Sequence, residues 1–167
     1  NIKESKRIIT LKYFNMTIQY LQKLRDNNKM DGFTDEGLSL SEIAQLEQLC
    51  NNGNPFPQVL KELLFLAGNS CNYLDYSIYD SQQELQSEER LELQELYGIT
   101  ITRPYFFVDL SSVGLPAFIF LDEGDNPPLN QLENHPTQSN FYRRTGGTLQ
   151  TLINSRIQNY LEGYNPF

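Results

Sequence analysis

Few side chains in this 167-residue chain are of types that catalyse or ligate. The single histidine, His135, stands in Glu133-Asn134-His135-Pro136, a segment that reads as a loop, and no serine or cysteine motif offers a nucleophile for it to activate. Cys50 and Cys71 do not form the paired motifs of a zinc or redox site and are expected to pack as small buried thiols. Asp122, Glu123 and Asp125 could gather around a calcium or magnesium ion, or do acid–base work, but they lack the twelve-residue pattern of a calcium loop and read as turn formers. Gly146-Gly147 after Arg143-Arg144 lacks the lysine and hydroxyl residue of a phosphate loop, so a turn is expected there too. The expectation is a protein that is not an enzyme and that has no metal and no cofactor.

The more suggestive constellation is made of carboxylates. Glu84, Glu88, Glu92 and Glu95 fall at steps of four, four and three, which places them on one face of a helix. Like charges so spaced destabilise a helix by about 0.2–0.5 kcal/mol per pair unless something offsets them. A solvated face is the plain reading; the sharper one is a surface for a basic partner, joined by Asp122, Glu123 and Asp125. The whole chain carries 13 basic and 21 acidic residues, a formal charge of −8. That balance opposes nucleic acid and anionic membranes as direct partners and suits a cationic protein, although acidity also serves solubility.

The elements that must position these groups follow from periodicity and caps. Between Arg7 and Leu24, the residues Leu11, Phe14, Ile18 and Leu21 predict an amphipathic helix, with a linker over 26–38. Ser39 and Glu42 have the spacing of a capping box, and Leu38 and Ile43 occupy the positions of a hydrophobic staple. Ile43, Leu46, Leu49 and Cys50 should line the buried face of that helix. Pro55-Phe56-Pro57 then predicts a fresh start, Val59, Leu60, Leu63, Leu64 and Leu66 a broadly buried helix, and Gly68 a left-handed stop. Cys71 to Tyr79 reads as extended and Gln82 to Tyr97 as helical. Tyr105–Val108 and Ala117–Leu121 predict two strands joined through Ser111-Ser112-Val113-Gly114, nearly all apolar and so covered on both faces. Phe141–Arg144 suggests a further short strand, and Leu149, Leu152, Ile153, Ile157 and Leu161 a closing helix.

The length suits one domain over 1–167. No apolar run approaches the roughly 18 residues needed to cross a bilayer, and Asn1 to Arg7 does not lead into a signal-type apolar core. A soluble protein of a reducing, cytoplasmic compartment is expected.

The order of these signals, with Asn54-Pro55-Phe56-Pro57, Lys61-Glu62-Leu63-Leu64 and Ala67-Gly68-Asn69 following the capped helix, resembles the SMI1/KNR4 (SUKH) superfamily. Phe118-Ile119-Phe120-Leu121-Asp122-Glu123-Gly124 and the closing helix are similar to that family's downstream layout, although the tryptophan frequent in such domains is missing. The resemblance covers about residues 39–162 as an SMI1/KNR4-like core, leaves the N-terminal helix and linker over 1–38 outside it, and implies an α+β fold with a central, mainly antiparallel sheet flanked by helices. It also implies an immunity protein that binds and neutralises a cognate bacterial toxin, a nuclease being one class, by stoichiometric occlusion. The alternative that it implies is a regulatory or scaffolding module of the same fold.

Overall fold

The computed structural model describes residues 16–111 and 115–167. Along the chain come α1 (Gln22–Asp26), β1 (Lys29–Met30), β2 (Phe33–Thr34), α2 (Leu40–Asn51), α3 (Gln58–Ala67) and α4 (Gln82–Tyr97). These are followed by β3 (Tyr105–Asp109), β4 (Ala117–Phe120), β5 (Pro128–Thr137), β6 (Asn140–Thr148) and α5 (Leu149–Leu161). The class is α+β, and the principal sheet is antiparallel in the order β3-β4-β5-β6.

Side chains alternate across a strand, so β3 and β4 feed two cores. Phe106, Val108, Ala117 and Ile119 pack with α2, α3 and α5 through Ile43, Leu46, Leu60, Leu63, Ile153 and Ile157. Tyr105, Phe107, Phe118 and Phe120 meet Leu85 and Leu93 of α4 on the other face. There the aromatic rings, with Tyr142, pack edge to face at centroid distances from 5.3 to 6.1 Å, an arrangement that suits their quadrupoles. The apolar runs in these strands are thus buried on both faces, as expected.

Helix α4 also closes an edge of the sheet. The Gln86 amide lies against β3 as a neighbouring strand would: its Nε2 donates to the Phe107 carbonyl at 2.8 Å, and its Oε1 accepts from the Phe107 N–H at 2.9 Å. Arg90 continues the row by donating to the Tyr105 carbonyl at 2.7 Å. Exposed strand edges invite pairing with other chains, and these two side chains occupy this one.

Several local expectations are met in detail. Ser39 and Glu42 form the reciprocal capping box, Pro57 caps α3, and α4 and α5 fall where the periodicity places them. Others need correction. Residues 16–21 form no helix, and the Leu11 and Phe14 part of the predicted helix lies outside the described residues, as do Ser112, Val113 and Gly114 of the predicted connection. The linker holds a small hairpin, β1–β2, turned at Asp31-Gly32 with φ of 49° and 87°. Leu49 is 59 % exposed, whereas Ile43 and Leu46 are buried and Leu40 and Cys50 pack half-buried against the core. Cys71 to Tyr79 is a looped segment, not a strand, with Tyr73 and Leu74 buried.

Gly68 does stop α3, but with φ of −71° it is not left-handed. A Cβ there would lie 2.5 Å from the Leu64 carbonyl oxygen and 2.9 Å from Leu38 Cγ, so close approach explains the glycine. The left-handed stop belongs to Gly98, which ends α4 with φ of 65°. His135 and Gly146-Gly147 lie within β5 and β6, not in loops, because the long β5–β6 pairing carries the chain through both stretches.

Candidate functional site

Helix α4 presents the carboxylate stripe. Ser81 caps its start by accepting from the Glu84 N–H at 3.1 Å, and the Glu84 carboxylate accepts from the Asp80 N–H at 2.8 Å. Gln82, Leu85, Gln86 and Leu93 are buried, which turns Glu84, Glu88, Glu92 and Glu95 outward, and all four are exposed. At 3.6 residues per turn, Leu91 points almost directly away from the buried row. It is 46 % exposed and lies one turn from both Glu88 and Glu95. The solvent face of α4 is therefore a leucine set among carboxylates, and among the described residues none of the four glutamates pairs with a cation.

The Asp122–Asp125 loop is arranged differently. Arg103 lies 2.6 Å from Asp122 and 3.0 Å from Glu123, and Arg144 reaches Glu123 at 2.7 Å. The Arg103 guanidinium also stacks over the Phe120 ring at 3.8 Å. Hydrogen bonds from Arg144, and then from Arg103, hold the Glu123 carboxyl down to about 2. Asp125 ties the loop to the start of α3, its carbonyl accepting from the Val59 N–H at 3.0 Å. The charges of Asp122 and Glu123 are thus met within the chain, and no ion pair or hydrogen bond among the described residues links this loop to the α4 stripe.

Other groups with chemical potential are placed as follows. His135 is exposed on β5. Cys50 and Cys71 are free; burial raises both thiols, Cys71 to about 12, so they stay protonated and unreactive at neutral pH. No group of three or more His, Cys, Asp or Glu is placed to hold a metal ion among the described residues. A concavity of about 520 Å³ lies between the sheet and α5, over the ion pair of Asp109 and Arg156.

Asp35 is the most perturbed carboxyl group in the opposite sense to Glu123. Burial raises it to about 6, against a single bond from the Asn72 N–H at 2.7 Å, and its Oδ2 has no partner among the described residues. A folded-state value above the unfolded one means that the native state binds the proton more tightly. The stability tied to this group is present in full below about pH 4 and is lost as pH rises through about 6. Asp35→Asn, whose Oδ1 still accepts from Asn72, is expected to remove that loss and to stabilise the protein at pH 7 by about 2–3 kcal/mol. Urea unfolding of both proteins at pH 4 and pH 7 checks this, the gain appearing only at the higher pH. Glu123 has the reverse sign, its stabilisation vanishing as pH falls from about 4.5 toward 2.

Periodicity alone exposes the glutamate stripe, whereas Leu91 and the two arginines that hold Asp122 and Glu123 escape it. Leu91 leaves a signal, an apolar residue at the centre of a polar helical face. Comparison of the chain with family models, with curated proteins and with solved structures finds no match.

Proposed function

We propose that this chain is a protein-binding module of the SMI1/KNR4 kind, an immunity protein that acts in the cytoplasm by covering a basic toxin, with nucleases as the leading class. The observation that carries the reading is the outer face of α4, where an exposed leucine sits among four exposed glutamates that have no cation of their own among the described residues. An exposed apolar side chain ringed by polar ones fits the layout of a small interface, in which apolar contact is central and the rim is polar. Carboxylates around it steer a basic partner and accelerate encounter. A nuclease must approach phosphate and so presents basic surface, which makes it a fitting occupant. The order of capped helix, proline-led helix, aromatic hairpin, acidic loop and closing helix supports the family reading.

The test is association with the protein encoded beside this chain, read by surface plasmon resonance and by protection of cells that express it. Glu88→Lys with Glu95→Lys is expected to slow association by about ten-fold or more at low salt, an effect that high salt removes. Leu91→Asp is expected to act on dissociation. Full affinity and full protection in both variants would remove this reading.

A further inference from the structure

A second concave feature adjoins the stripe and shares Glu92 with it. Between the C-terminal half of α4 and β5 lies a cleft of about 170 Å³, walled by Leu93 and Tyr97 on the helix side and by Leu132 on the strand. Three carboxylates line it: Glu89 and Glu92 from α4, and Glu133 from β5. Among the described residues no lysine, arginine or histidine forms an ion pair with any of them. Arg90, next in sequence to Glu89, is turned away, engaged with Gln86 and the Tyr105 carbonyl and stacked over the Tyr105 ring at 4.4 Å.

We infer that this cleft receives the side chain of an arginine from a basic protein partner, its stem against Leu93 and Leu132 and its guanidinium between the three carboxylates. The inference rests on the reading of the chain as a binder of a basic protein and names the group that the partner would insert. The shape calls for an occupant with an apolar stem and a cationic end, because apolar side chains and carboxylates share the lining and the carboxylates come from both sides. Arginine fits better than lysine, since its planar fork can bond two carboxylates at once and stack on the half-exposed Tyr97 ring. The site is also electrostatically unsettled when empty. Burial raises the Glu89 carboxyl, and the charge of Glu92 adds to the rise against the bond from the Tyr79 hydroxyl, so a cation would relieve both. Glu92 lies on the boundary of the cleft and the outer stripe, which makes the two parts of one surface.

Titration with N-acetyl-arginine-methylamide, followed by protein-observed NMR, tests the inference with the intact chain. The capped lysine and the capped citrulline, an uncharged isostere, serve as parallel probes. Saturable shifts are expected at the amides of Leu93, Tyr97 and Leu132, with affinity about five-fold weaker for citrulline and in the Glu89→Gln/Glu133→Gln variant, the scale of a partly exposed charge pair. Glu88→Gln/Glu95→Gln, on the outer face, is expected to leave that affinity unchanged. Equal weakening by the two double variants, equal binding of citrulline, or no saturable shift in the cleft would overturn the inference. Lysine binding as tightly as arginine would overturn the assignment to arginine. Because the probe has no protein surface, failure here is separable from failure of a toxin to bind, which the outer-face reversals report.

Discussion

Glu62→Leu is expected to destabilise the protein by about 3–5 kcal/mol, although leucine matches the apolar side chains that flank this residue on α3. Glu62 is completely buried in α3 among Val59, Leu60, Leu63 and Leu64. Its carboxylate accepts three consecutive backbone donors, from the N–H groups of Gln19, Tyr20 and Leu21 at 2.7, 2.9 and 3.0 Å, and a fourth from Gln58 Nε2 at 3.0 Å. Removal of the acceptor orphans these donors where no water replaces it, at about 1–3 kcal/mol for each group that stays buried. The total has a ceiling, since residues 16–21 can instead peel away and hydrate, which forfeits the burial of Leu21. Two measurements separate these routes. The urea midpoint gives the total cost, and hydrogen exchange at the amides of Gln19, Tyr20 and Leu21 shows whether they open before the rest. Glu62→Gln keeps one acceptor while aiming an NH₂ at the same donors, so an intermediate loss is expected.

The same residue shows what the sequence conceals. Ile18 and Leu21 have helical spacing, yet the backbone around them gives its N–H groups to a carboxylate more than forty positions away and cannot use them for a helix. A glutamate inside an otherwise apolar helical arc was the available signal. Elements whose ends are written locally are the legible ones: the Ser39–Glu42 box, Pro57 before α3, and Ser81 and Gly98 around α4 each specify a boundary within one turn of chain. Strand β5 is not legible, because Leu129 and Leu132 alone break a run of polar residues and prolines; its strand state comes from pairing with β4 and β6. The candidate site divides in the same way. Spacing along α4 reveals its glutamates, since a helix puts them on one face whatever else the chain does. It cannot reveal that Arg103 and Arg144 neutralise Asp122 and Glu123, nor that Glu133 of β5 lines one cleft with Glu89 and Glu92, since packing between distant segments sets both.

The ion pair of Arg156 and Asp109 extends that argument to stability. Their side chains are 11 % and 6 % exposed, and the closest approach is 2.8 Å, with a second bond at 3.1 Å. Each partner also holds the looped segment before α4: Arg156 donates to the Tyr73 carbonyl at 2.8 Å, and Asp109 accepts from the Asp75 N–H at 2.8 Å. The pair thus fastens α5, β3 and that loop at one point. Arg156→Met, which keeps the stem but leaves a carboxylate buried without its cation, is expected to cost about 3–5 kcal/mol. Asp109→Asn in the same background removes the stranded charge while its amide oxygen still accepts from Asp75, so the double variant is expected to be more stable than Arg156→Met alone. A double-mutant cycle by urea unfolding reads this recovery as a coupling energy, about 0.5–3 kcal/mol for groups in one network. Additive losses would instead mean that solvent already screens the pair, as it does for exposed ones. The recovered variant should still expose the Tyr73–Asp75 stretch to protease sooner than the native protein does, because the charge is repaired there and the Arg156 bond to the Tyr73 carbonyl is not.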